Sequence, residues 1–208
     1  MEQRLDISFE DLIDVVSEAM IESNKTHFED LVKLKGDLNR EIPIGGIYDG
    51  LGKTVERIIH YWNICDDEAN IPVAERKPIQ LIIDSNGGSL TDALTIVDAI
   101  SLSKTPVYAF VIGAAYSGGF LITIACHKRY GYKHSSYLLH EGSVSEMSGT
   151  SSQFENFNAF YKKQLEQLKS LVLNSTNIDE EYYDRIRKED IWYDAYEALD
   201  KGIIDEII

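Results

Sequence analysis

Between residues 79 and 140, short apolar runs alternate with amphipathic stretches. Ile79–Ile83 has the length of a buried strand, and Asp84-Ser85-Asn86-Gly87-Gly88 ends it. Ser89 then stands as a helix N-cap with Asp92 in the reciprocal position, and Leu90, Ala93, Leu94, Val97 and Ile100 recur at helical spacing. Lys104-Thr105-Pro106 stops that helix, and Val107–Ile112 is the next strand. Gly113 leads into Ala114-Ala115-Tyr116-Ser117-Gly118-Gly119 and a further helical run. A turn over 128–136 precedes another short strand, Tyr137–His140. Strand, helix, strand, helix, strand at this spacing implies right-handed parallel crossovers, hence an α/β layered domain.

The flanks are less regular. Residues 8–22 predict an amphipathic helix, with Ser8 as cap and Phe9, Leu12, Ile13, Val16, Ala19 and Met20 on one stripe. Turn formers fill 36–50 around apolar pieces that allow one short strand; a helix over 50–65 and a polar loop over 66–78 follow. After a Gly/Ser-rich loop (141–152), residues 153–173 predict a long helix with Lys and Gln on its wet face. Residues 179–187 and 195–201 are shorter helices, Gly202 stops the second, and the tail 203–208 reads as a terminal strand. The organisation expected is an N-terminal helical extension (1–35) and one domain (36–208).

Charge and composition remove several function classes. A net charge of −15 with no basic cluster repels phosphate backbones, so nucleic-acid binding is not expected. The longest apolar stretches, such as Phe120–Cys126, fall well short of the roughly 20 residues that span a bilayer, and Met1–Asp6 lacks a secretory pattern. A soluble, cytoplasmic protein is the expectation. Cys65 and Cys126 match no zinc or redox spacing and read as reduced thiols; neither metal nor cofactor is expected.

Ser117 lies where a strand ends and a helix begins, among small neighbours, in the manner of a nucleophile elbow. A helix-start serine is also an ordinary cap. Gly87-Gly88 allows close approach of backbone N–H groups, and equally a tight strand-to-helix turn. Of five histidines, His140 ends a strand at the sheet edge where α/β proteins bind ligands, and a hydrogen-bonded core histidine is the alternative. Among 35 acidic residues, spacing alone selects no partner for it.

Four blocks in order resemble the Clp proteolytic-subunit (ClpP) family. Leu81–Leu90 resembles a strand followed by N-S-P-G-G-x-[VI], and Gly113–Leu121 resembles G-x-A-A-S-M-G-x-x-L. Tyr137-Leu138-Leu139-His140 resembles the strand ending in the histidine of M-I-H-Q-P. Arg187–Trp192 with Glu197-Ala198-Leu199 and Gly202–Asp205 resembles the C-terminal segment. The resemblance spans roughly 36–208 and implies Ser117 as nucleophile, His140 as base, Asp190 as its orienting acid, and the backbone N–H groups of Gly88 and Gly118 as oxyanion donors. It implies an α/β, crotonase-like ββα superhelix with a protruding handle helix at 153–173. The implied function is a serine endopeptidase cleaving peptides and unfolded polypeptides inside a chamber of its own copies, as a heptamer or stacked double ring served by an AAA+ unfoldase. A catalytically weak or inactive scaffold subunit of such a ring is the alternative. Departures from the family pattern are Gly118 for methionine, Asn86 for proline, Glu141-Gly142 for Gln-Pro, and an N-terminal stretch unlike the family's axial loops.

Overall fold

A computed structural model describes residues 36–142, 149–186 and 188–208. The helix expected at 8–22, residues 143–148 of the Gly/Ser-rich loop, and Arg187 lie outside them. The unit considered below is Glu41–Ile208. In chain order its elements are β1 (Glu41–Ile44), α1 (Leu51–Glu68), β2 (Ile79–Ser85), α2 (Leu90–Leu102), β3 (Val107–Tyr116), α3 (Gly118–Ala125), β4 (Lys128–Gly131) and β5 (Ser136–Leu139). They continue with α4 (Ser151–Ser175), α5 (Glu180–Ile186), β6 (Ile191–Asp194), α6 (Ala195–Asp200) and β7 (Glu206–Ile207).

The strands form one sheet in the order β1-β2-β3-β4-β7, with β5 also on β3 and β6 on β5. All pairs are parallel except β5–β6. The fold is therefore mixed α/β with a parallel sheet, as the alternating pattern requires. Ile79, Leu81 and Ile83 of β2 and Val107, Ala109 and Val111 of β3 are buried without residue. Ile96 and Ile100 of α2 and Phe120 and Ile122 of α3 belong to the same core cluster.

β3 runs four residues past its expected end at Ile112 because it has two successive partners on one edge. Tyr108–Val111 pairs with β4, and Ala114–Tyr116 pairs with β5. On its other edge the register against β2 shifts between Ile83–Val111 and Ser85–Ala115. The Asp84 carboxylate fills that irregularity by accepting the Ala114 N–H at 2.9 Å.

Asp92 departs from the reciprocal cap expected of it. Its backbone N–H donates to Ser89 Oγ (3.3 Å), but its carboxylate does not return to Ser89's own N–H, which is committed to the Ile47 carbonyl at 2.8 Å. The carboxylate instead accepts the Ser89 hydroxyl (2.6 Å) and the N–H groups of Gly50 (3.0 Å) and Gly52 (2.9 Å). One side chain thus joins the starts of α1 and α2, satisfying orphan donors of the α1 terminus. At the far edge Arg129 holds the C-terminal strand by an ion pair to Asp205 (2.6 Å) and a bond to the Ser175 carbonyl (2.6 Å). Among the described residues no helix is long and apolar enough to cross a membrane.

Hydrogen bonds from the Ser89 hydroxyl and the Gly52 N–H hold the Asp92 carboxyl below its ordinary value. A carboxyl lowered on folding contributes stability above its unfolded pKa of about 3.9, and that contribution is lost as pH falls through the folded value. Asp92→Asn should therefore lower the melting temperature at neutral pH. The gap from wild type should close progressively below about pH 4 in a melting series across pH.

Candidate active site

β3 must hand its chain to α3 without leaving the sheet edge, and Ser117 makes that turn with φ 55° and ψ −117°. A non-glycine residue in this region stores roughly 1–3 kcal/mol of strain. Two backbone bonds hold it there: Ser117 N–H donates to the Leu138 carbonyl (3.0 Å), and its own carbonyl accepts Leu121 N–H (3.2 Å). Its hydroxyl makes no capping bond to α3, although the residue sits at the N-cap. The cap reading of Ser117 therefore does not describe its side chain.

Gly87 and Gly88 adopt φ 88° and 143°. A Cβ on Gly87 would come within 2.7 Å of the Ser117 Cβ, and one on Gly88 would overlap the Ile47 carbonyl oxygen. That carbonyl and the Ile47 N–H are both engaged by this loop, with Ser89 N–H (2.8 Å) and the Gly87 carbonyl (2.9 Å). The pairing turns the Gly88 N–H away from Ile47, and among the described residues neither it nor the Gly118 N–H has an acceptor. Both glycines line the same cavity as Ser117.

His140 and Asp190 meet through register. β5 and β6 pair antiparallel, Ser136 with Asp194 through Leu139 with Ile191, so the next rung sets His140 opposite Asp190. Side chains alternate faces along a strand, which puts this rung on the face of Leu138 and Trp192. His140 Nδ1 lies 3.4 Å from Asp190 Oδ1. The imidazole is a quarter exposed and the carboxylate largely exposed. His140 Nε2 is buried and, among the described residues, has no hydrogen-bond partner. The Ser117 Oγ to His140 Nε2 bond that nucleophile activation uses is thus not made here.

Ser117, His140, Gly88 and Gly118 open on one cavity of about 330 Å³. Its apolar wall comes from Leu165, Leu168 and Val172 of α4, with Tyr183 of α5. Tyr161, one helical step earlier on α4, donates its hydroxyl to the Glu141 carbonyl at 3.0 Å and so pins the segment after His140. Burial, and then the Glu141 charge, push the Tyr161 phenol above its ordinary value. Residues 161, 165, 168 and 172 form an i, i+4, i+7, i+11 stripe that was open to reading in the sequence. What it covers was not.

The other described histidines are elsewhere: His127 Nδ1 accepts Val107 N–H at 3.0 Å, while His60 and His134 are exposed. Cys126 is buried, which pushes its thiol up and leaves it inert, and Cys65 is half-buried and unpaired. No cluster of His, Cys, Asp and Glu among the described residues could hold a metal ion. At the cavity stand a hydroxyl at a strained turn, an imidazole backed by a carboxylate, and two N–H groups with no acceptor among the described residues, the parts that acyl transfer requires.

The family whose sequence pattern matches this chain, over residues 71–208, is described as Clp protease. Among curated proteins, the chain is 33% identical over 134 residues to ATP-dependent Clp protease proteolytic subunit 2 of Treponema pallidum, covering 64% of this chain and 67% of that protein. It is 27% identical over 186 residues to the subunit of the same name from Treponema denticola, covering 88% and 89%. To the ATP-dependent Clp protease proteolytic subunit of Leuconostoc citreum it is 31% identical over 138 residues, covering 64% and 68%.

Gly88→Ala should destabilise the fold by about 3 kcal/mol or more, because the obstructing atom is backbone and the φ is one that alanine resists. Urea unfolding measures it. Gly45→Ala, where an added Cβ meets nothing within 4 Å, should cost far less.

Proposed function

The chain belongs to the Clp protease family, and from that membership we propose that it is a serine endopeptidase using Ser117, His140 and Asp190. The observation that carries this reading is the contact just past the last β5–β6 pair, where His140 Nδ1 lies 3.4 Å from Asp190 Oδ1 beside the cavity on which Ser117 opens. In the proposed cycle Ser117 Oγ attacks a peptide carbonyl while His140 Nε2 takes its proton. Asp190 orients the imidazole through Nδ1 and stabilises its charged form. The oxyanion is received by the N–H groups of Gly88 and Gly118, and the imidazolium then gives its proton to the leaving amine. Water repeats the sequence on the acyl-enzyme.

The substrates proposed are peptides and unfolded polypeptides, cleaved inside a ring of copies of this chain in the cytoplasm. Relatives named as proteolytic subunits of an ATP-dependent protease support an unfoldase partner. The unpartnered His140 Nε2 favours one second reading, a catalytically weak or inactive scaffold subunit of such a ring.

A fluorophosphonate probe should label assembled wild-type protein at Ser117 and leave Ser117→Ala unlabelled. Ser117→Ala should lose about three to six orders of magnitude in peptide turnover. Wild-type protein of ring mass that neither reacts with the probe nor cleaves peptide would instead establish the scaffold reading.

A further inference from the structure

Asp190 is held weakly for a residue that must fix an imidazole. Its carboxylate is 66% exposed, and among the described residues its one polar contact is His140 at 3.4 Å. Its position must therefore come from the backbone of β6, a four-residue strand that pairs, among the described residues, with β5 alone.

One rung inward, the sheet carries a device that ties β6 to the nucleophile's own strand. Tyr116 pairs with Leu138, and Leu138 with Trp192, so the three residues form a row across β3, β5 and β6. The two aromatic rings bridge over Leu138 and meet edge to face, with centroids 4.9 Å apart and planes at 81°. Leu138 is buried beneath them, although Trp192 itself is more than half exposed. The Tyr116 hydroxyl shares a 2.7 Å hydrogen bond with Ser136 Oγ, two residues back on β5 and on the same face. Tyr116 immediately precedes Ser117, and Trp192 lies two residues beyond Asp190.

We propose that Tyr116 and Trp192 are positioning residues: their edge-to-face clamp across Leu138 holds β6 in register, and so holds Asp190 against His140. The inference rests on the triad reading. An exposed tryptophan on an edge strand gains from an aromatic partner, and edge-to-face contact is the preferred aromatic geometry. The clamp ties the serine-bearing and aspartate-bearing strands without passing through the catalytic groups. Tyr116 also lines the cavity and Trp192 does not, so a change at Trp192 acts on the barrier and not on substrate binding.

The test is steady-state cleavage of a short chromogenic peptide by assembled protein, with fluorophosphonate labelling rate as a second readout. Trp192→Ala should lower kcat about tenfold to a hundredfold with KM nearly unchanged, and Tyr116→Ala, whose ring also lines the cavity, should lower kcat by a similar factor. Tyr116→Phe, which keeps the ring and loses only the Ser136 bond, should recover most of that loss. Trp192→Ala combined with Asp190→Asn should be no slower than Asp190→Asn alone, because both act through one contact. Additive losses, or a Trp192→Ala loss carried by KM, would overturn the clamp while leaving the triad intact. If Asp190→Asn alone costs nothing, the triad reading falls and the clamp with it. Should Trp192→Ala fail to fold, Trp192→Leu keeps cover over Leu138 without an aromatic edge and is put through the same cycle.

Discussion

The site exists because β3 outruns β4. Four residues of β3 pair with β4, and after Val111 the strand passes to a new neighbour, β5, along the same edge. That change of partner sets the Ser117 N–H against the Leu138 carbonyl and brings His140 to the edge where the strand gives way to a helix. β6 then adds to β5 in the opposite sense, and a chain returning from α5 delivers Asp190 to the next rung. Three segments far apart in sequence are brought together by backbone pairing. The register shift opposite Ile83 and Ser85 belongs to the same design, since it accommodates the extra residues of β3 at the point of handover.

Strain at this point is local and the support is distributed. Ser117 at φ 55° is unfavourable by itself, and Gly87 must pack against its Cβ. What holds both is the surrounding sheet: Ile83, Val111, Ala115 and Phe120 are wholly buried around the turn. A neighbourhood so densely packed cannot relax the turn without opening a cavity, which is the usual condition for strained residues to persist at functional positions. The loop 86–89 gains its stiffness differently, through paired bonds to Ile47 and through Asp92 drawing the start of α1 onto α2.

Much of this architecture was legible in the sequence because β2, α2, β3 and α3 are buried elements with a clear period. Elements were misread where polar residues do structural work. α1 continues to Glu68, past its expected end at 65, because Asp66 is buried and accepts the Thr105 hydroxyl at 2.8 Å. Asp67 pairs with Arg76 and Lys104, so two acids that looked like loop are helix. β4, read as a turn, is a strand whose Lys128 and Arg129 are half-buried, one over the Tyr130 ring and the other on Asp205. β6 has only four residues and runs directly into the Asp194–Glu197 capping box of α6, leaving no room for a strand period to show. Ser117 and His140 were physical candidates from the start. Asp190 was selected by resemblance alone, and its physical warrant, the rung opposite His140, depends on a β5–β6 pairing that no local pattern announces.

The unmade Ser117–His140 bond sits where the backbone ladder stops. His140 follows the last paired residue of β5, so among the described residues its main chain is outside the pairing that fixes Leu138 and Leu139. Past that point the segment is held from two sides by different means: Asp190 meets the imidazole from β6, and Tyr161 grips the Glu141 carbonyl from α4. The Tyr161 bond comes from a helix that also supplies the apolar wall of the cavity, so one element holds both the wall and the histidine's segment. The position of His140 is thereby tied to the placement of α4 as well as to that of β6.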